Sequence, residues 1–277
     1  MPRKFVISPT KLRTYYTCPA MYRLEYVDKL GRFYHRARAG FAFGHSLHRA
    51  LDAFHNAGGA EGGVTAEQLT ASLESVWIAK GYAGAEQEEA FRSEGVRILQ
   101  EYHAAVQSAR ETAMVVPADE TAPPPVPPPH LLFTEKSLRM DLSEHVALSG
   151  RVDRVDEHHD GALEIVDYKS GRETVSEEDV AGSLAMSIYQ TLLKHKHPDR
   201  RVFATIVALR TGAAASHELS TEERDALTAE CGETGEMLRT KDWEHVLPVV
   251  NDHCPHCDFL PYCERFWKRH GVPGLDG

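Results

Sequence analysis

Seven prolines fall between Pro117 and Pro129, in PADETAPPPVPPP, and they divide the chain into two stretches of different periodicity. Proline lacks the backbone donor that helix and sheet ladders use and fixes φ, so 117–129 reads as an extended, polyproline-like linker. Before it the apolar spacing is helical. Ser8-Pro9-Thr10 reads as a helix start, Phe43, Leu47, Ala50, Leu51 and Phe54 form one apolar stripe, Leu69, Leu73 and Val76 another, and 86–110 a further helix. After the linker the pattern turns to β. His130–Leu138, Val146–Glu157, Ala162–Lys169 and Val202–Arg210 read as strands, with helices over Ser183–His195 and Thr221–Arg239. The expected organisation is an N-terminal helical region (1–116), the linker, an α/β core (130–250) and a C-terminal cysteine segment (251–277).

Charge is distributed unevenly. Residues 1–40 carry nine Lys or Arg against two acids, +7, on a 277-residue chain whose net charge is −10. A basic end on an acidic body suits a polyanion, because phosphate contacts depend on local charge. Tyr15, Tyr16, Tyr22, Tyr26, Phe33 and Tyr34 are interleaved with those cations, a mixture that suits single-stranded nucleic acid; packing among the helices is the alternative use of the same rings. No apolar run approaches the ~18 residues of a membrane span. The start, MPRKFVISPTKL, has no apolar export core, which points to the cytoplasm. There is no G-x-x-x-x-G-K-[ST] loop, so the chain has no ATPase motor of that type.

The segment GRVDRVDEHHDGALEIVDYKSG, residues 150–171, carries the chemistry. With the HHDGA turn centred on Asp160, Asp153 stands across the hairpin from Asp167, where paired side chains have Cβ atoms about 5 Å apart and like charges repel. Alternation puts Leu163, Ile165 and Lys169 on the face of Asp167, with Tyr168 on the other. Two such carboxylates call for a cation. Lys169 supplies part of it, and Mg²⁺ or Mn²⁺, which prefer carboxylate oxygens and keep waters that can turn nucleophilic, supply it more fully. A surface hairpin with an Asp–Lys ion pair is the plain alternative.

The tail reads CPHCDFLPYC, placing Cys254, Cys257 and Cys263 as C-x₂-C-x₅-C, with Cys18 236 residues before the first of them. Five cysteines without an export signal favour metal over disulfides, and Cys231, in a polar helix, reads as a bystander. Four thiolates accept either Zn²⁺ or an iron–sulfur cluster, and zinc also accepts His253 or His256 in place of one cysteine. A zinc-stapled interaction module using the proline linker is one reading of the whole chain.

GRVDRVD followed by IVDYKSG resembles the core of PD-(D/E)XK nucleases of the RecB family, which includes the nuclease domains of RecB and AddB and the CRISPR-adaptation nucleases. The resemblance implies a restriction-endonuclease-like core, a mixed central sheet flanked by helices. It makes Asp153 and Asp167 the metal-binding acids, Lys169 the active-site lysine and Glu135, in LLFTEKSL, the upstream acid. GHSLHRAL matches the family's G-x-x-x-H-x-x-L helix and makes His48 a further ligand, with His45 its rival, and the Tyr168 backbone carbonyl joins the metal shell. The family's Q-x-x-x-Y helix corresponds to LAMSIYQTLL: Tyr189 fits, but Ala185 stands at the glutamine position. Gln190 lies about 140° around the helix from Ala185 and is no obvious substitute. Cys18, Cys254, Cys257 and Cys263 match, in order, the ligands of a [4Fe–4S] cluster in the family's iron–sulfur members. The implied activity is a metal-dependent DNA exonuclease preferring single-stranded ends, in DNA repair, recombination or CRISPR adaptation, with a helicase or CRISPR-adaptation protein as partner. The alternative is a DNA-end-binding assembly subunit with weak or no nuclease activity.

Overall fold

A computed structural model describes residues 3–114 and 126–275, so residues 117–125 of the expected linker lie outside the described residues. In chain order the elements are β1 (Phe5–Ile7), α1 (Pro9–Thr17), α2 (Pro19–Tyr22), a π-helical turn (Arg23–Val27), α3 (Gly31–Tyr34), α4 (Ala39–Asn56), α5 (Ala66–Val76) and α6 (Ala85–Met114). There follow β2 (His130–Asp141), β3 (Val146–Glu157), β4 (Leu163–Lys169), α7 (Glu177–Ala181), α8 (Leu184–Lys196), β5 (Val202–Ala208), β6 (Ala213–His217), α9 (Thr221–Thr240), a 3₁₀ turn (Cys254–His256) and α10 (Leu260–His270). They gather into two compact units. One comprises Met1–Arg36, Asp141–Ser149 and Thr228–Gly277, the other Ala37–Met140 and Gly150–Leu227.

The second unit is built on a mixed sheet. β3 and β4 run antiparallel from Arg154↔Val166 to Glu157↔Leu163. Their turn is set by Asp160 Oδ1, which accepts the Ala162 amide at 2.9 Å, and by Gly161 at φ +84°, a left-handed conformation glycine adopts without strain. β4 is parallel to β5 from Leu163↔Val202 to Lys169↔Ala208, a pairing that needs a crossover, supplied by the segment with α7 and α8. β6 closes antiparallel on β5, and β2 pairs with β3. Helices α4, α5 and α6 cover the sheet with one core in which Phe43, Leu47, Leu51 and Phe54 meet Leu69, Leu73, Ile98 and Leu99, together with Val166, Tyr168 and Leu209 from the sheet side. Each such side chain contributes roughly 1.5–3 kcal/mol on burial.

Local chemistry explains the helix starts. Thr65 and Gln68 form a reciprocal capping box before α5, Ser176 and Asp179 another before α7, and Ser8 Oγ accepts the Lys11 amide ahead of Pro9 in α1. The strand expected to reach Arg210 stops at Ala208, because Gly212, at φ +72°, turns the chain back into β6.

In the first unit β1 runs parallel to the start of β3, Phe5↔Val146 through Ile7↔Leu148. Tyr22 is buried, stacked on Trp243 with ring centroids 5.0 Å apart and tilted on Tyr26 at 4.9 Å. Tyr34 packs on Phe259. Tyr16 and Phe33 stay exposed, at 49% and 67%, so the aromatics of the basic segment divide between packing and surface. Among the described residues no helix is long and apolar enough to cross a membrane.

Candidate active site

Helix α4 brings His48 to the sheet because Gly44, one turn earlier on the same face, lets the two approach. A Cβ at Gly44 would stand 2.9 Å from Ser170 Oγ, just past the end of β4. His48 Nε2 then lies 3.0 Å from the Tyr168 carbonyl oxygen, and its Nδ1 lies 3.4 Å from Asp153 Oδ2. His45 is exposed.

Asp153 follows directly from the hairpin. One step beyond Arg154↔Val166 the register carries Asp153 to Asp167, but ladder pairing ends before it. There Asp153 Oδ2 accepts the Tyr168 amide at 3.0 Å. Asp167 is buried, and Lys169 Nζ lies 2.5 Å from its Oδ2 while remaining 40% exposed.

Glu135 reaches the site by a backbone irregularity. It sits within β2 at φ +46°, a left-handed torsion that costs a non-glycine residue of order 1–3 kcal/mol and breaks the strand's alternation. Its neighbour Thr134 is tied to α4: Thr134 Oγ1 donates to Asp52 Oδ1 at 2.5 Å, and Asn56 Nδ2 donates to both Asp52 Oδ1 and Thr134 Oγ1. Asp52 is one turn beyond His48. Among the described residues, His48, Glu135 and Asp153 are the one trio of His, Cys, Asp or Glu whose donor atoms all lie within 4.8 Å of one another. Asp167 is not part of that trio.

The electrostatics agree with the geometry. Burial, then the nearby Asp153 charge, raises the Asp167 carboxyl above its ordinary range against the pull of Lys169. Burial and Asp153 likewise raise Glu135, opposed by Arg151, whose Nε lies 2.6 Å from Glu135 Oε2. Burial by itself would lower His48; its hydrogen bond to Asp153 and the charges of Asp153, Asp167 and Glu135 outweigh that and raise it. Crowded carboxylates beside an imidazole make a set that a divalent cation would relieve.

Tyr189, on α8, lies over Gly150: a Cβ there would fall 2.7 Å from its ring, so only glycine fits. Ala185 is half-buried one turn earlier. Gln190 is buried, and its Oε1 accepts the Leu219 amide at 3.0 Å, which commits it to the core.

In the first unit, Cys18, Cys254, Cys257 and Cys263 line one small apolar cavity together with Met21, Leu24 and His253. All four are free thiols. Burial and the neighbouring sulfurs raise Cys257 and push Cys263 up to about 12. Cys231 is buried elsewhere, on α9, beside Glu230. His256 is not among the residues lining the cavity.

Sequence reasoning missed Asp52, Thr134, Arg151 and Arg154. Asp52 alone left a trace, its i+4 spacing from His48.

No curated protein matches the chain in sequence. The crystal structure of SSO0001 superposes with a TM-score of 0.38 at 12% identity, covering 96% of this chain and 88% of that one. A family profile matches residues 6–264, nearly the whole length, and spans the hairpin, the helix of His48 and the cysteine tail. The chain belongs to the PD-(D/E)XK nuclease superfamily.

Proposed function

We propose that the chain is a Mg²⁺- or Mn²⁺-dependent deoxyribonuclease that works from single-stranded ends, an exonuclease of DNA repair, recombination or CRISPR adaptation. The observation that carries the catalytic part is the convergence of the His48, Glu135 and Asp153 donor atoms within 4.8 Å, beside the Asp167–Lys169 ion pair. In this reading His48, Asp153, Asp167 and the Tyr168 carbonyl hold the ion, and Glu135 completes the acidic shell. The donor set fits: oxygen ligands with one imidazole suit Mg²⁺ or Mn²⁺.

When bound, the ion polarises the scissile phosphate and lowers the pKa of an attacking water. Lys169, reaching from Asp167 towards solvent, orients that water and steadies charge building on the phosphate oxygens. Attack forms one P–O bond and breaks the bond to the leaving sugar oxygen, which takes a proton. Tyr189, fixed over Gly150, shapes the substrate side. Exposed Phe33, with the Arg32 guanidinium 4.5 Å from its ring centre, supports a single-stranded substrate, since rings stack on bases and cations hold phosphates. With no nucleotide-binding loop in the chain, long-range degradation would draw on a helicase or CRISPR-adaptation partner.

Cys18, Cys254, Cys257 and Cys263 would hold a [4Fe–4S] cluster. A shared cavity of free thiols supports this.

The test uses anaerobically purified protein and end-labelled single strands. Mn²⁺-dependent degradation should fall at least ~100-fold in Lys169→Ala and Asp167→Ala. Undiminished degradation in both overturns the assignment. Iron and sulfide near four each per chain, retained in Cys231→Ala and lost in Cys263→Ala, support the cluster; zinc without sulfide replaces it. The engagement of Gln190 with Leu219, and Ala185 in place of glutamine, favour a second reading, an end-binding assembly subunit. Tight end binding without hydrolysis would establish that one.

A further inference from the structure

Tyr168 faces two ways. Its main chain belongs to the candidate metal centre, the amide donating to Asp153 Oδ2 at 3.0 Å and the carbonyl oxygen lying 3.0 Å from His48 Nε2. Its hydroxyl belongs to a buried polar cluster under α4 and α6. Arg154 Nη1 lies 2.6 Å from the Tyr168 hydroxyl, 2.7 Å from that of Tyr102 and 2.8 Å from His55 Nε2. The two hydroxyls are 3.0 Å apart, and His55 Nε2 is 2.8 Å from Tyr102 and 3.1 Å from Tyr168.

The protons can be assigned by elimination. A guanidinium only donates, so the His55 Nε2 that faces it accepts, which makes His55 a neutral imidazole with its proton on Nδ1. Burial and the Arg154 charge both favour that state, pushing the imidazole down to about 2. Two N–H bonds of Nη1 then serve three acceptors, and one tyrosine hydroxyl donates to the other at 3.0 Å. Arg154 Nη2 pairs with the buried Asp156 carboxylate at 3.0 Å. Such a cluster is a poor source of net stability, because well-packed apolar residues of similar volume commonly do as well or better. Its effect is to fix position, since four mutually bonded groups have few alternative arrangements.

We propose that Arg154 is a positioning residue for the metal centre, acting through Tyr168. By clamping the Tyr168 hydroxyl it holds the β4 peptide so that one amide and one carbonyl meet Asp153 and His48 together. The side chain touches no substrate. The inference rests on the proposed metal centre.

The experiment compares wild type with Tyr168→Phe, Tyr102→Phe and Arg154→Lys. Each is measured for melting temperature, for Mn²⁺ affinity without DNA (by the free-ion electron paramagnetic resonance signal), and for nuclease rate against Mn²⁺ concentration. The phenylalanine variants delete one oxygen each and keep the series readable if Arg154→Lys does not fold. Leu73→Ala, in the α5 core, is the control for stability loss alone. Tyr168→Phe should bind Mn²⁺ roughly 10–100-fold more weakly, as loss of outer-sphere support does elsewhere, with the maximal rate recovering at saturating Mn²⁺. Arg154→Lys should behave alike, Tyr102→Phe less severely, and Leu73→Ala should melt earlier with its Mn²⁺ affinity intact. Folded Tyr168→Phe with wild-type affinity overturns the positioning role, as does an equal loss in Leu73→Ala. Wild type that binds no Mn²⁺ overturns the metal centre itself, a different result from the first two.

Discussion

The Tyr168 amide donates to Asp153 Oδ2 where the β3–β4 ladder ends, one residue past Arg154↔Val166. A carboxylate is therefore pinned by main chain at the point where two others, Glu135 and Asp167, are held above their ordinary range partly by its charge. Metal-free protein carries that repulsion as a fixed cost.

Asp153→Asn keeps the shape and removes the charge. A carboxyl raised in the folded state binds more protons folded than unfolded, so the contribution of Glu135 and Asp167 to stability falls as pH rises from about 4 through their raised values. With Asp153 neutral, the fall should be shallower and the metal-free protein more stable at pH 7. Thermal unfolding in EDTA between pH 4 and 7 measures it. The same variant should lose at least ~100-fold in Mn²⁺-dependent hydrolysis.

Mn²⁺ should stabilise the folded chain by mass action. At one hundred times its dissociation constant the gain is about 2.7 kcal/mol, and a protein of this size shifts by roughly 2–4 °C per kcal/mol. His48→Ala should lose most of that shift while folding normally in EDTA, read by calorimetry with and without the ion.

His55 gives the opposite pH slope. Its folded value, about 2, lies far below the unfolded one, so the unfolded chain takes up the extra proton and stability drains away as pH falls below ~6.5. The slope approaches ~1.4 kcal/mol per pH unit for one proton. His55→Gln should flatten urea-unfolding stability between pH 6.5 and 5 and leave it pH-independent above 7 as far as this group is concerned.

Gly150→Ala sets a methyl 2.7 Å from the Tyr189 ring and 3.1 Å from Leu192 Cδ1. Overpacking of this kind costs about 1–3 kcal/mol. The melting temperature should drop by several degrees, and Tyr189→Ala in the same background should recover part of it.

The β3–β4 hairpin was legible because Asp160 and Gly161 fix the turn, and the turn fixes which residues oppose one another. Helix α4 was legible from its apolar stripe, and the four cysteines from their order. Glu135 was visible only as an acid in a strand, since nothing local encodes a left-handed torsion; the preceding residue, Thr134, is held by Asp52 and Asn56 from another element. Arg154 read as one more strand residue, because its partners come from α4, α6 and β4, scattered over more than a hundred positions. β1 and β6 escaped notice for want of length, and the alanines of β6 carry no strand preference.

On the proposed assignment of Glu135 to the metal centre, its torsion separates what makes this protein durable from what makes it useful. A glycine there would relax the backbone and delete the carboxylate in one step, giving a sturdier molecule with a poorer site. A screen of this chain for heat resistance alone should therefore drift towards replacing Glu135, and the survivors would be stable proteins that have forgotten their chemistry.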